Sequence, residues 1–221
     1  MIKKSYDTSI HCFRKPIENL FGVDDLEGLH TSRSDLLPTE ELVFETESRT
    51  QYHNVFYNRL NSQDSWKDIK DTYHNFLDCV VRPIVKEEFV YQAFPTFRVQ
   101  VPKEKAIHKW HYDSDIDHMH PSWEINFQIA LTEMKNTTAT WVESVPGLRD
   151  FAPMNMDYGE FYIFNGNKCM HGNKTNDSNK TRVSLDFRII PLKKYKEIMN
   201  NELKSATTSR RFVVGEYYNG V

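Results

Sequence analysis

Three segments in which apolar residues alternate with other residues constrain the fold of this chain more than any other feature. The segments are 97–101, 125–131 and 182–189. Because successive side chains of a β-strand point to opposite faces of its sheet, each segment predicts a strand with one apolar face. Shorter strands, separated by turns rich in glycine, proline and asparagine, are predicted at 108–113, 139–144, 151–155, 159–165 and 168–172.

Eight predicted strands match the number in a double-sheet jelly roll. The expected fold is therefore mainly β with flanking helices, a double-stranded β-helix of the cupin type. The second faces of the long strands carry dense sets of polar side chains. Since several strands repeat this pattern, it favours a polar cavity inside the roll over a half-exposed sheet.

The length of 221 residues fits a single domain with a sizeable core. Within this domain we expect a helical and mixed support at 1–89, the double-stranded β-helix at 90–192, and a helix and tail at 193–221. In the tail, the segment 211–218 is predicted to form an edge strand or an interface, and a homodimer is one arrangement that the sequence leaves open.

One long helix is predicted ahead of the strands. Apolar residues recur at helical spacing from Asp64 to about Phe89, with Asp64 or Ser65 as the N-cap. Pro83 is expected to kink or end this helix, because proline removes a helical hydrogen bond. The apolar stripe predicts that the helix packs on the outside of the sheet.

Charge and composition argue against several classes of partner. The formal net charge of −3 gives no electrostatic reason to expect binding to nucleic acid or to an anionic membrane. No stretch approaches the length of a membrane span, and Lys3-Lys4 is not followed by an apolar run, so we expect no signal peptide. The three cysteines are scattered, which indicates a reducing compartment. We therefore expect a cytoplasmic protein that acts on a small molecule.

The chain contains one histidine that is followed two positions later by an acidic residue, in His111-Tyr112-Asp113. On the predicted strand, His111 and Asp113 would share a face and converge on one metal ion. His171 would complete a triad of two histidines and one carboxylate. This ligand set leaves coordination positions open and is typical of non-haem Fe(II) oxygenases. The three residues are the predicted metal ligands and catalytic centre.

Other histidines leave a second kind of metal site open. His108 and His111 have a spacing that occurs in zinc sites, and His118 and His120 would point to one face of a strand. Otherwise, His118 and His120 lie in a loop over the site and contact the substrate, or they are solvated loop residues. Cys169 is expected to be a buried spectator thiol.

A second set of polar residues suggests a binding site for a 2-oxoacid. Arg182 and Ser184 lie two apart on a predicted strand, where together they would hold the distal carboxylate. Arg188 shares that face and is the rival anchor, unless it is a surface arginine that pairs with a nearby carboxylate. Asn126 and Gln128 lie on the polar face of another strand, where either would hold the other carboxylate or the substrate.

These residues, in this order, resemble a known family. The set His111-x-Asp113, His171 and Arg182-x-Ser184 resembles the Fe(II)/2-oxoglutarate-dependent dioxygenases, and the chain is similar to the streptomycin-biosynthesis StrG-type group of that superfamily. The stretches that carry the likeness are 95–99, 110–115, 124–127, 141–144, 158–160, 169–173 and 181–188. Together they cover roughly residues 90–192.

The resemblance implies an enzyme that uses Fe(II), 2-oxoglutarate and O2 to hydroxylate or otherwise oxidise a small polar molecule, with release of succinate and carbon dioxide. The StrG likeness implies a sugar, an aminocyclitol or another natural-product intermediate as substrate. Two alternatives remain open. One is a cupin-like enzyme that depends on zinc or another metal and does not use 2-oxoglutarate. The other is a non-catalytic roll that binds small molecules or carbohydrates.

Overall fold

The computed structural model describes residues 1–37, 50–60, 63–106, 109–198, 203–205 and 209–220. The helices are α1 (Arg14–Phe21), α2 (Leu29–Ser32), α3 (Gln51–Leu60), α4 (Gln63–Phe76), α5 (Arg82–Val85) and α6 (Leu192–Ile198), with 3-10 turns at Ser34–Leu36 and Asn136–Thr138. The strands are β1 (Ile2–Ser5), β2 (Phe89–Gln92), β3 (Thr96–Gln100), β4 (Ile125–Ala130), β5 (Thr140–Val142), β6 (Ala152–Pro153), β7 (Glu160–Phe164), β8 (His171–Asn173), β9 (Arg182–Pro191) and β10 (Tyr218–Asn219).

The strands form two antiparallel sheets. The larger sheet has the order β1-β7-β4-β9-β2-β10, with β3 added beside β9, and the smaller sheet has the order β6-β5-β8. The predicted jelly roll with flanking helices is confirmed. In the described ranges, no helix combines the length and apolar character that a membrane crossing requires.

The ten-residue strand β9 joins the hydrophobic core to the interior of the roll. One of its edges pairs with β4, and the other pairs first with β3 and then with β2. Every second side chain from Val183 to Ile189 is fully buried against the N-terminal helices. Phe187, for example, stacks on Phe127 with ring centroids 4.9 Å apart and meets Tyr73 of α4 edge-on at 5.1 Å. The opposite face of β9 carries its polar side chains.

The long helix that the sequence predicts is present and packs against the larger sheet, as expected. It begins at Gln63 and continues from α4 into α5 through a π-helical turn at Leu77–Val81. Pro83 follows this turn; in a regular α-helix its ring would clash with the carbonyl four residues earlier, which the wider turn avoids. The helix ends at Val85, before the predicted Phe89, because Lys86 adopts a left-handed conformation with φ 60°.

The predicted strand at 108–113 is the largest difference between sequence and structure. His108 lies outside the described residues, and among 109–113 only His111 pairs with a strand, through a single antiparallel bridge to His171. Asp113 lies in a turn. The backbone N–H of Asp113 donates to the carbonyl of Gly166 (2.9 Å), so the chain leaves the sheet immediately after the bridge.

The C-terminal segment lies along the edge of the larger sheet. Helix α6 precedes it, and β10 pairs with β2 through Tyr218 and Gln92. An edge strand is therefore present, but of the predicted range 211–218 it contains only Tyr218. Phe212, Tyr217 and Tyr218 pack in a small apolar cluster with residues of β2 and β9. The dimer interface remains a prediction.

We expect Phe187→Ala to lower the free energy of unfolding by about 3–5 kcal/mol, because it removes a fully buried ring between β4 and the helices. Leu148→Ala is the matched control, since Leu148 is 61% exposed and its truncation should change stability by less than about 0.5 kcal/mol. Urea denaturation monitored by circular dichroism measures both. Equal losses in the two variants would contradict the placement of the core between sheet and helices.

Candidate metal centre

The three side chains predicted as metal ligands lie together. Nε2 of His111 and Nε2 of His171 each lie 3.6 Å from Oδ1 of Asp113. These separations suit two ligands of one ion, whose bonds are about 2.0–2.2 Å long. Among the described residues, this is the only group of three histidine, cysteine or acidic side chains close enough to hold an ion.

The triad is assembled from two stretches of backbone, 111–113 and β8. His171 opens β8, and its backbone N–H and C=O exchange hydrogen bonds of 3.0 Å with those of His111. Asp113 reaches the same point from a turn that is held by its backbone bond to Gly166. The expectation that His111 and Asp113 share one face of a strand is therefore wrong, although their side chains converge as the spacing suggested.

The backbone fixes which ring nitrogens face the site. Nδ1 of His111 lies 3.0 Å from the carbonyl oxygen of Lys109, and Nδ1 of His171 lies 3.0 Å from that of Cys169. A carbonyl only accepts a hydrogen bond, so Nδ1 carries the proton and Nε2 keeps a free lone pair. Burial, assisted by the neighbouring His111, lowers the pKa of His171 to about 3. The His171 imidazole is therefore neutral at pH 7, the form that binds metal.

The two oxygens of Asp113 have different surroundings. Oδ2 accepts hydrogen bonds from Nδ2 of Asn126 (2.7 Å) and Nε of Arg188 (3.0 Å). Oδ1 is buried and receives no hydrogen bond from the described residues. Burial opposes ionisation, but the Arg188 charge and the His111 contact hold the pKa of Asp113 well below its usual value. Oδ1 is thus an ionised ligand atom without a partner.

The two histidines of the loop after Asp113 are not solvated, so that alternative is wrong. The ring of His118 stacks on His111 at 4.2 Å, and its Nδ1 lies 2.7 Å from Oδ1 of Asp115. Nδ1 of His120 lies 2.9 Å from Oε2 of Glu124, and its side chain is 8% exposed. Neither histidine joins the triad. Their contact with substrate stays a prediction.

A polar cavity adjoins the triad, as the alternating strands predicted. It lies between the polar face of the larger sheet and strands β5 and β8 of the smaller one. Its lining comprises Arg98, Asn126, Gln128, Thr140, Phe164, His171, Asn173, Arg182, Asp186 and Arg188.

Arg182 is a buried cation that has no partner anion among the described residues. Its side chain donates from Nη2 to the hydroxyl of Thr140 (3.0 Å), while Nε and Nη1 have no acceptor in the described part of the chain. Asp186 on the same face already pairs with Arg98 at 3.1 Å. Burial lowers the pKa of Arg182 to about 10, so the guanidinium keeps its charge at pH 7. A buried charge of this kind is stable only when an anion is supplied.

The other residues predicted to hold the 2-oxoacid differ in their engagement. Oγ of Ser184 and Oε1 of Gln128 are buried and have no hydrogen-bond partner among the described residues. Asn126 is engaged at both ends, since its Oδ1 accepts the N–H of Gly166 (3.0 Å) and its Nδ2 donates to Asp113. Ser184 and Gln128 therefore keep polar atoms available for a ligand, whereas the amide of Asn126 already contacts the triad.

Arg188, the rival anchor, is buried rather than a surface residue. Its Nε lies 3.0 Å from Oδ2 of Asp113 and 3.5 Å from Oε2 of Glu124, so the alternative of a surface pair is wrong. Burial opposes its charge, but the two carboxylates and Tyr217 raise the pKa of Arg188 well above its usual value. Unlike Arg182, it has its counterions within the protein.

Sequence reasoning missed several residues of the site, and three of them hold the two buried arginines. Thr140 holds Arg182, Glu124 supports Arg188, and Tyr217 places its hydroxyl 3.4 Å from Nη1 of Arg188. The buried Glu124 directly precedes β4, which is a usable signal, since acidic residues are rarely buried unless they are paired. Nothing in the tail sequence points from Tyr217 to the triad.

Cys169 contributes its backbone rather than its thiol. The side chain is buried and packs with Val142, Met154 and Phe164. Burial raises the pKa of the thiol, which makes it a weak nucleophile. Its carbonyl oxygen orients His171. The expected spectator thiol agrees with this packing.

The chain is similar to a protein of streptomycin biosynthesis along nearly its whole length. It is 32% identical to "Streptomycin biosynthesis protein StrG" of Streptomyces griseus over 205 residues, which cover 93% of this chain and 90% of StrG. The chain belongs to the StrG family. This membership confirms the resemblance to the StrG-type group that the motifs suggested. No family model matches the chain.

Solved structures are similar to the chain at low sequence identity. AviO1 from Streptomyces viridochromogenes Tue57 superposes with a TM-score of 0.51 and 17% identity, covering 83% of this chain and 85% of AviO1. SnoK, described as a non-heme alpha ketoglutarate dependent carbocyclase from nogalamycin biosynthesis, gives a TM-score of 0.45 and 13% identity, covering 84% of this chain and 76% of SnoK. The AviO1 likeness shows that this chain and AviO1 share their fold.

Asp113→Asn is expected to weaken the binding of Co(II) by more than about 100-fold, beyond the range typical for residues that only support a ligand. The change removes the anionic ligand but keeps the shape of the side chain. Equilibrium dialysis of the metal-free protein against Co(II) measures the affinity. Asp115→Asn is the control, since Asp115 pairs with His118 outside the triad and its loss should leave the affinity unchanged. The reverse order would move the metal to Asp115 and His118.

Proposed function

We propose that this protein is an Fe(II)- and 2-oxoglutarate-dependent oxygenase that hydroxylates or oxidises a small polar molecule. The proposal rests on two neighbouring features. In the His111–Asp113–His171 triad, Oδ1 of Asp113 has no hydrogen-bond partner among the described residues, and in the adjoining cavity Arg182 has no partner anion among them. The triad is the ligand set of ferrous oxygenases. A carboxylate of a second ligand would neutralise the charge of Arg182.

The residues of the site fit both Fe(II) and 2-oxoglutarate. His111, His171 and Oδ1 of Asp113 would hold Fe(II), because the three side chains are buried, Nδ1 of each histidine lies against a backbone carbonyl, and Oδ1 receives no hydrogen bond from the described residues. Arg182 would donate a bidentate pair of hydrogen bonds to the distal carboxylate of 2-oxoglutarate from Nη2 together with Nε or Nη1, the two nitrogens that have no acceptor among the described residues. Ser184 would add its unengaged hydroxyl to the same carboxylate.

Each of these residues has a defined task. Held by these residues, Fe(II) and 2-oxoglutarate would supply the activation of O2 for oxidation of the substrate, with release of succinate and CO2. The contacts from Nδ1 of His111 and His171 to the backbone carbonyls of Lys109 and Cys169 keep both Nε2 atoms directed at the metal position. Phe164 lines the cavity and meets the ring of His171 edge-on at 5.6 Å, which shields the site from water. No described side chain is needed as a general base.

The substrate class follows from the cavity and from the family. The walls beside the triad are polar, with Gln128, Asn173 and the Arg98–Asp186 pair, so a hydroxylated or amino-substituted molecule suits them better than a lipid. The StrG relative is named for streptomycin biosynthesis. Both observations support a sugar, an aminocyclitol or another natural-product intermediate.

The test is an anaerobic titration of the Fe(II)-loaded protein with 2-oxoglutarate, followed through the weak visible charge-transfer band of the chelate. We expect a band to appear with the wild type. Arg182→Gln should raise the dissociation constant of 2-oxoglutarate by about 10- to 100-fold, because it removes two charge-assisted hydrogen bonds. Arg182→Lys should recover only part of the affinity, since an ammonium lacks the planar fork.

Arg188→Gln is the matched comparison, because it alters the second buried arginine of β9. Once each variant is saturated with metal, the Arg182 variant should lose more affinity for 2-oxoglutarate than the Arg188 variant. The opposite order would move the anchor to Arg188. Binding of Fe(II) without any response to 2-oxoglutarate would overturn the proposed function and favour the cupin-like enzyme that does not use this cosubstrate.

A further inference from the structure

The two oxygens of the Asp113 carboxylate are held asymmetrically, and the proposed function does not explain why. Two donors from different strands meet at Oδ2: Asn126 on β4 and Arg188 on β9. Both donors are buried, at 3% and 6% exposed. Oδ1 faces Nε2 of His111 and of His171. The carboxylate therefore cannot rotate about its axis without breaking two hydrogen bonds inside the protein.

Each donor is itself held in place. Asn126 is fixed through its Oδ1, which accepts the N–H of Gly166, and the backbone of Gly166 comes so close that a Cβ there would lie 2.8 Å from Nδ2 of Asn126. Gly166 also accepts the N–H of Asp113 (2.9 Å). One turn thus orients both the carboxylate and the amide that contacts it.

Arg188 is held by a network that extends to the C-terminal segment. Glu124 lies 3.5 Å from its Nε and receives the Tyr218 hydroxyl and His120 Nδ1 as further partners. The hydroxyl of Tyr217 lies 3.4 Å from Nη1 of Arg188. Since the two tyrosines pack in one cluster with β2 and β9, the segment around them forms one wall of the Arg188 pocket.

We infer that Arg188 and Asn126 are positioning residues that engage Oδ2 of Asp113, so that this carboxylate binds the metal through Oδ1 alone, and that Tyr217 helps to hold Arg188 in that position. The inference rests on the proposed function only in placing a divalent metal at the triad. It requires neither 2-oxoglutarate nor a particular substrate.

The number of oxygens that Asp113 offers matters for the reaction. A carboxylate that chelates through both oxygens occupies two coordination positions, whereas a monodentate one occupies a single position. With two histidines, the monodentate triad leaves three positions of an octahedral ion open. A bidentate 2-oxoacid and O2 need all three. A donor on Oδ2 competes with the metal for that oxygen, so Arg188 and Asn126 preserve the open face.

The test uses Co(II) alone, added to the metal-free protein, and follows its d–d absorption bands, whose position and intensity report the coordination of the ion. Arg188→Gln should weaken Co(II) binding by about 10- to 100-fold, because the Asp113 carboxylate is no longer held in its orientation. It should also change the d–d spectrum, because Oδ2 becomes free to bind the ion. Arg188→Lys should recover part of the affinity and shift the spectrum back, since it restores a cationic donor. Circular dichroism checks the fold of each variant.

Milder variants keep the inference falsifiable if Arg188→Gln does not fold. Asn126→Ala removes the second donor, and Gly166→Ala pushes the amide away, so both should change the Co(II) spectrum in the same direction. Gly28→Ala is the matched control, since a Cβ there meets its neighbours at ordinary distances of 3.5 Å and more. Tyr217→Phe should produce a smaller loss of about two- to five-fold, in line with one long hydrogen bond.

Arg182→Gln separates this inference from the proposed function. It should leave the Co(II) affinity and spectrum unchanged while it weakens 2-oxoglutarate binding. Wild-type Co(II) spectra and affinities in the folded variants at Arg188 and Asn126 would overturn the positioning role, whatever the outcome with 2-oxoglutarate. A changed spectrum without any 2-oxoglutarate binding would leave the positioning role standing and remove the proposed cosubstrate.

Discussion

The ion pair between Arg188 and Asp113 is the interaction on which the rest of the site depends. Neither charge could stay buried alone, because an uncompensated ion in a protein interior costs several kcal/mol. Together they place an ionised carboxylate beside His111 and His171 and leave its Oδ1 without a hydrogen bond from the described residues. The pair joins β9 to the turn that follows His111, so the geometry of the triad is linked to the largest sheet.

Strand β9 brings two different environments into contact because its side chains alternate. Its apolar face completes the core with the N-terminal helices, and its polar face lines the cavity. The two buried arginines on that polar face differ in whether a carboxylate of the protein neutralises their charge. Arg188 is paired with carboxylates of the protein, whereas Arg182 has only the hydroxyl of Thr140. The difference supports the proposal that Arg188 belongs to the metal centre and that Arg182 binds a ligand that carries a negative charge.

Much of the architecture could be predicted from local pattern. The alternation at 125–131 and 182–189 predicted β4 and β9 because sheet periodicity depends only on neighbouring residues. The helix from Asp64 was predicted with nearly correct limits for the same reason. The strand at 108–113 was not formed, since a single backbone bond to Gly166 turns the chain away from the sheet. That bond depends on a loop about fifty residues further along the chain.

The sequence by itself determined the long strands β4 and β9, the polar lining of the roll and the order of His111, Asp113 and His171, because these follow from spacing and residue type. Only the tertiary structure decided which oxygen of Asp113 is unengaged and which arginine lacks a counterion. The physical reason is that the free energy of a buried ionised group depends on the charges and hydrogen-bond partners around it. Those groups come from β4, β5 and the C-terminal segment, which are distant in sequence and adjacent only in the folded protein.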